Sequence, residues 1–543
     1  MMKKTFLSLL LSIALADVMS AQGVVDIRFS GSTATVDIPA TVVGVSHTVQ
    51  GADVVINSTT VDTEYTYHVS GSSNNGSLTI NGQYKLTLQL DGLSLTNSHG
   101  GAAIDVECGK RIAVELTDGT VSTLSDIATG GQKAALCFKG HPEFRGGGTL
   151  NVTGQLKHAI AAKEYIELKP SLGTINILSA AGDGIHCGRG LQDPEKNYFL
   201  MRGGSVNIWN AADEGIDADD YGAVRILDGG VSITVGDGAT GIKADSTLSV
   251  MGGLLNIRVA GRDATGLLSR YATTISGGRL DLSVEGDGSK GIKTKNNTDA
   301  DATVRDGGRL TISGGRLKVT ASGGTIVDEA TGDTDRCMAV STDADLRQTA
   351  GDVAISVQGL EAASHNVKGA EQHLGGTWQL SRQPWVADAR SSHYDMTLFV
   401  RLVVDGQPVS DYTQLAVGAF LGDQCTGCAD LSAAPDYAVL RVRNSSQLAT
   451  PVSFRLYDYA AATEQALVPA QPVSFAADAV VGTPSEPFVL SVTTGSEGIA
   501  DVRATSSADS PCYDLQGRRL APSATRPGVY VSNHRKLIRT PRN

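Results

Sequence analysis

Carboxylates recur beside a Gly-Ile step through the middle of this chain. The copies read GDGIHC at 182–187, DEGIDADD at 213–220 and GDGATGIKAD at 236–245, and the series continues with RDATGLLS at 262–269 and GDGSKGIKTK at 286–295. Measured at the apolar residue, Ile160, Ile185, Ile216, Ile242, Leu267 and Ile292 are separated by 25, 31, 26, 25 and 25 residues. If each repeat is one coil, acids stack about 4.8 Å apart, where two carboxylates repel by about 1 kcal/mol in water and about 3.5 kcal/mol at an effective dielectric near 20. Such a stack wants a cation, and calcium, which takes oxygen ligands at about 2.3–2.6 Å, fits between successive coils. The candidate ligands are Asp183, Asp213, Glu214, Asp217, Asp219 and Asp237, followed by Asp245 and Asp287. For any one of them the plain alternative is a solvated turn residue, since Asp and Gly favour turns on conformational grounds.

Lys243, Lys293 and Lys295 follow the same step in later copies, where lysine replaces the flanking acids. They are candidates to pair with sugar carboxylates, against the plainer reading of solvated strand lysines. Trp209, Tyr221 and Tyr198 lie near the acidic turns and offer rings on which a sugar stacks. For Trp209, core packing is an equal alternative. His158 and His186 read as ordinary turn or core histidines.

The elements that must position these residues are short strands. Each repeat joins a Gly-Gly corner to an alternating run, as in GGSVNIW from Gly203, GGVSITV from Gly229, GGLLNIRV from Gly252, GGRLDLSV from Gly277 and GGRLKVT from Gly314. Apolar-polar alternation is strand periodicity, and no helical period interrupts it. A period near 25 with one such unit per repeat describes a solenoid, a parallel β-helix with roughly twelve turns. The predicted boundaries are a signal peptide at 1–21, a capping β segment at 22–69, the β-helix at 70–385, a small β-sandwich at 390–492, and a linker with a short β tail at 493–543.

The chain of 543 residues has a formal charge of −12 and 63 glycines. That balance argues against nucleic acid and anionic membrane surfaces as partners and suits cation binding. Lys3 and Lys4, an apolar run at 6–16 and the small residues Ser20 and Ala21 form a Sec-type export signal. No later segment is long and apolar enough to span a bilayer. The 7 cysteines have no framework spacing. Cys425 and Cys428 form a lone CxxC, read as a disulfide or two separate thiols rather than as half a zinc site.

Taken in order, LTLQLDGLSLTN, AAIDVECGKRIAVELTDGTVSTLSD, GGGTLNVTG, KHAIAAKEYI, GTINILSAAGDGIHC and DEGIDADD resemble a bacterial family of secreted, non-catalytic carbohydrate-binding proteins. The likeness runs from about Val69 to Trp378. It implies a right-handed parallel β-helix that holds calcium and binds plant-type and acidic polysaccharides. The family's metal ligands do not map residue by residue, and none is carried over. Further on, YDMTLFVRLVVDG, AFLGDQCTGCA and FRLYDYAA resemble a small β-sandwich appended to many bacterial surface proteins. The tail, with YDLQGRRL and GVYV, resembles a type IX secretion sorting signal. It implies outer-membrane secretion machinery as a partner and the outer surface of a Gram-negative cell as the destination.

The expected function is a secreted or cell-surface protein, stabilised by calcium, that binds polysaccharide without catalysis, uronate-containing polymers included. A calcium-dependent polysaccharide lyase competes, with Lys243 or Lys293 as the base that β-elimination needs. A structural adhesin that binds protein is the third reading.

Overall fold

The computed structural model describes residues 23–188, 196–296, 307–329, 331–387, 392–409, 413–429 and 437–492, and the backbone of four short strands beyond them. The expected export signal at 1–21 lies outside the described residues. The chain divides into two compact units, Met1–Val386 and Ala387–Asn543.

Among the described residues of the first unit every regular element is a strand. Successive passes of the chain lay these strands in parallel on one another in two long sheets, one of 22 strands and one of 13. In the smaller sheet Leu78, Ile104, Leu136, Ile160, Ile185, Ile216, Ile242, Leu267, Ile292 and Val340 form one unbroken inward row. None is more than 1% exposed, and each such burial is worth about 1.5–3 kcal/mol. The architecture is therefore a parallel β-solenoid, and the apolar member of the Gly-Ile step is its core ladder.

The glycine of that step has a packing cause. A Cβ on Gly184, Gly215, Gly241, Gly266 or Gly291 would stand 2.5 to 2.6 Å from a carbonyl oxygen of the next coil, closer than carbon and oxygen can approach. Parallel pairing already begins where Val24–Ser30 lies on Thr66–Ser73. The segment 22–69 thus supplies a first coil as well as the antiparallel strands Thr33–Asp37 and Val45–Gln50.

In the second unit, nine strands from Tyr394–Val404 to Phe488–Val492 form a mainly antiparallel set. They enclose a separate core that includes Leu398, Leu440, Phe454, Phe475 and Leu490. Cys425 and Cys428 are unconnected thiols. Three residues apart on the strand Gln424–Ala429, they point to opposite faces, so no disulfide joins them. The four short strands of the tail, Cys512–Tyr513, Arg519–Leu520, Gly528–Ser532 and Arg535–Arg539, pair with one another.

Candidate functional site

Strand register assigns every outward side chain of the 13-stranded sheet to a row. One residue after the core ladder, the outward row reads Asp105, Cys137, Ala161, His186, Asp217, Lys243, Leu268, Lys293. Three residues after it, the edge row reads Glu107, Lys139, Lys163, Gly188, Asp219, Asp245, Arg270, Lys295. Three residues before it, the opposite edge carries Lys133, Lys157, Gly182 and Asp213 in successive coils.

The acids cluster on the coils of Ile185, Ile216 and Ile242. Asp183 and Asp217, only 2% and 3% exposed, are bridged by His186, whose Nδ1 lies 2.8 Å from Asp183 Oδ2 and 3.0 Å from Asp217 Oδ2. Burial alone would lower the pKa of this imidazole, but the two carboxylates outweigh it and push it up to about 9. His186 is therefore a cation at neutral pH. His158 stacks on it with ring centroids 4.5 Å apart, and its Nδ1 lies 3.1 Å from Asp183 Oδ2. Burial holds the His158 pKa below its ordinary value despite the nearby Asp183 carboxylate. Burial opposes ionisation of Asp183 as well, yet its bonds with the two histidines keep its carboxyl well below the usual range.

Lys243 Nζ sits 3.4 Å from Glu214 Oε1 and 3.2 Å from Asp217 Oδ1. Asp217 Oδ1 makes no well-aligned hydrogen bond, so the ion pair with Lys243 is what neutralises it. Burial works against the Lys243 charge, but Asp217 and Glu214 raise its pKa above the ordinary lysine value. Glu214 is pushed up to about 9, first by burial and then by Asp217 and Asp183 against the pull of Lys243. Asp245 is pushed up to about 7 by burial and by the bond it shares with Asp219; Arg270 Nε stands 3.2 Å from it. The acids thus outnumber the cations His186, Lys243 and Arg270, and burial together with that surplus keeps Glu214 protonated.

Oxygens of Asp183, Asp213 and Glu214 lie within 4.8 Å of one another, an all-oxygen set of the hard type calcium takes. Two further groups, His158–Asp183–His186 and His186–Asp217–Asp219, include imidazole nitrogen, which suits zinc-like ions rather than calcium.

On the preceding coils the same face opens into a groove of about 410 Å³. Its floor is low because the small side chains of Cys137 and Ala161 hold the outward row. Its edges are lysines: Lys133 and Lys139 flank the strand Ala134–Phe138, and Lys157 and Lys163 flank His158–Ala162. All four are exposed. Lys139 Nζ meets Glu107 at 3.2 Å, while Lys157 and Lys163 have no ion-pair partner among the described residues. Asp105 and Glu107 line one end, and His158, His186 and Asp219 the other. Burial, then Glu107, push Asp105 up to about 6 against Lys163 and Lys139. Burial pushes the Cys137 thiol up to about 11, so it is neutral and not a nucleophile. Ammonium groups on both sides of a shallow neutral floor form a receptor for an anionic ligand.

Asp183, Asp213, Glu214, Asp217 and Asp219 lie in one cluster, and Asp245 joins them. They do not form one acidic stack, because register spreads them over several rows; the row neighbours of Asp217 are His186 and Lys243. Asp237 stands apart on an exposed turn, accepting the Arg262 amide at 2.8 Å, and Asp287 likewise accepts the Gly324 amide at 2.7 Å. The sugar candidates scatter. Lys243 is enclosed by acids, Lys293 lies two coils beyond it, Trp209 is 53% exposed beside a strand of the 22-stranded sheet, and Tyr221 sits in a left-handed turn with φ 63°. None of these four lines the groove. Tyr198 lies between Tyr165, stacked at 4.6 Å, and Arg225 at 5.3 Å, which leaves no ring face for a sugar. The sequence reading missed the lysine edges and both histidines. A signal existed: Lys, five residues, Lys occurs at 133–139 and again 24 residues later at 157–163.

Residues 50–288 match a family model described as "Carbohydrate-binding domain-containing protein". Among solved structures, a polysaccharide lyase-like protein from C. thermocellum, in a gadolinium derivative, is 17% identical over 66% of this chain and 96% of its own, with a TM-score of 0.25, a likeness too distant to carry an argument. No curated protein matches. The stretch that resembles carbohydrate-binding proteins is thus the part of the solenoid that carries both the lysine groove and the acid-histidine cluster.

Proposed function

We propose that this protein is an exported, non-catalytic binder of polysaccharide that holds uronate-bearing sugars in the lysine-edged groove of the 13-stranded sheet. The observation that carries this reading is the pair of adjacent coils with a lysine at each edge and a small, neutral residue between. Carboxylates of a sugar chain lying along the solenoid axis would meet ammonium groups on both sides, and the rings would rest over Cys137 and Ala161. The match of residues 50–288 to a carbohydrate-binding family supports the same reading. What favours binding over β-elimination is the state of Lys243: a lysine held as a cation by Glu214 and Asp217 is a poor base. A glycan array run with the full chain and with Lys157→Ala/Lys163→Ala tests it. Uronate-bearing glycans should be retained by the parent and lost by the variant; unsaturated products from a polyuronate would instead establish a lyase.

Calcium belongs to this reading as a stabiliser, held by Asp183, Asp213 and Glu214. There it would supply the positive charge that protons now supply at Glu214, tying the coil of Ile185 to that of Ile216. The leader-like segment at 1–21 and the tail resembling a sorting signal support display at the outer surface of a Gram-negative cell. The second unit is read as a small β-sandwich, and the solenoid as right-handed, the hand that nearly all parallel crossovers take.

A further inference from the structure

Over four successive coils, from that of Leu136 to that of Ile216, the two edges of the 13-stranded sheet change charge together. The coil of Leu136 has Lys133 and Lys139 at its edges, and the coil of Ile160 has Lys157 and Lys163. The coil of Ile185 has Gly182 and Gly188, and the coil of Ile216 has Asp213 and Asp219. On the other side of the lysine rungs, the coil of Ile104 places Asp105 in the outward row and Glu107 at the edge. The cationic stretch is therefore bounded by carboxylates at both ends.

From these bounds we propose that the groove selects a short acidic block, an isolated uronate, a run of two or three, or an acidic branch, set among neutral sugars, rather than a continuous polyuronate. This inference rests on the uronate-binding reading and narrows it. From Asp105 to His186 the floor spans three coil steps, roughly 14 Å at about 4.8 Å per step, room for about three sugar rings in line. A fourth acidic ring at one end would face Asp105 and Glu107. At the other end it would pass the coil of Ile185, whose edges are glycines and whose outward cation, His186, is already bonded to Asp183 and Asp217, and reach Asp213 and Asp219, where like charges repel. A neutral sugar at either position meets no such repulsion, and its hydroxyls are ready donors to those carboxylates.

The test is calorimetric titration of the full chain, without divalent ions, with galacturonate oligomers of increasing length. Affinity should rise at least about tenfold from one residue to three and then change by less than about threefold up to six. In Asp105→Asn/Glu107→Gln, whose thermal melt checks that the fold is kept, the gain should extend to longer oligomers. Affinity of the parent that climbs steadily through six residues would overturn the short-block inference and leave uronate binding intact. If no oligomer binds, and Lys157→Ala/Lys163→Ala changes nothing on a glycan array, the uronate reading falls and the inference falls with it.

Discussion

The lysine rungs and the acid-histidine rungs are neighbours on one sheet, share one core ladder, and differ in what their charges are doing. In the coils of Leu136 and Ile160 the lysines stand at the edges in water, above a floor of Cys137 and Ala161. In the coils of Ile185, Ile216 and Ile242 charged groups, His186, Asp217 and Lys243, occupy the outward row as well and pack against neighbouring acids, with Asp183 and Asp217 nearly inaccessible. Exposed charges keep their hydration and are available to a ligand. Buried charges have lost it and must be satisfied from within the protein, which His186 and Lys243 do here. On a common scaffold, the depth of a charge decides whether it binds a partner or holds two coils together.

The sharpest way to break this contrast is Asp183→Ala. Removing a buried carboxylate leaves the His186 cation with one partner fewer and His158 without its neighbour, and should cost about 3–5 kcal/mol in chemical denaturation. A loss under about 1 kcal/mol would mean that the cluster is not a coil clamp. Next, Lys157→Ala/Lys163→Ala should weaken binding of a triuronate roughly tenfold or more with an unchanged melt, so that the two regions separate into a binding and a stability phenotype.

The pH dependence should belong to the acid-histidine rungs. The folded pKa of His186 is raised from 6.5 to about 9, and that of Glu214 from 4.5 to about 9. A raised pKa contributes stability that is complete below the unfolded value and is lost as pH rises through the folded one. The protein should therefore lose stability between mildly acidic pH and about 9, and Glu214→Gln, already neutral, should flatten that loss. Adding calcium should raise the melting temperature, chelator should reverse the gain, and Asp213→Asn should blunt it while Asp237→Asn, on its exposed turn, should not. The smallest effect is expected from Trp209→Ala, which lies off the groove and should alter uronate affinity by less than about twofold.

Much of the solenoid was legible in the sequence because its cause is periodic. The Gly-Ile step repeats since one inward apolar residue and one glycine, squeezed against the next coil's carbonyl, are required in each turn. The acidic site was legible only in composition. Counting from the isoleucine brings Asp183, Glu214 and Asp217 to the same few coils, but it does not show that Asp217 stacks between His186 and Lys243, because like and unlike residues share a row only through register. Asp237 shares the GDG text of Asp183, yet it caps an exposed turn. The histidines give no signal in the sequence, because an isolated histidine beside an apolar residue is usually structural; here two of them, from coils 25 residues apart, meet on one carboxylate.

By itself, the sequence determined the period, the strand character of each repeat and the concentration of acids in the middle coils, all of which are written in local spacing. Only the tertiary structure decided which charges are buried and which are exposed. A residue's depth depends on the size of its row neighbours in the coils before and after it, and Ala161 and Cys137, small enough to open a groove, reach the four lysines only when the coils stack.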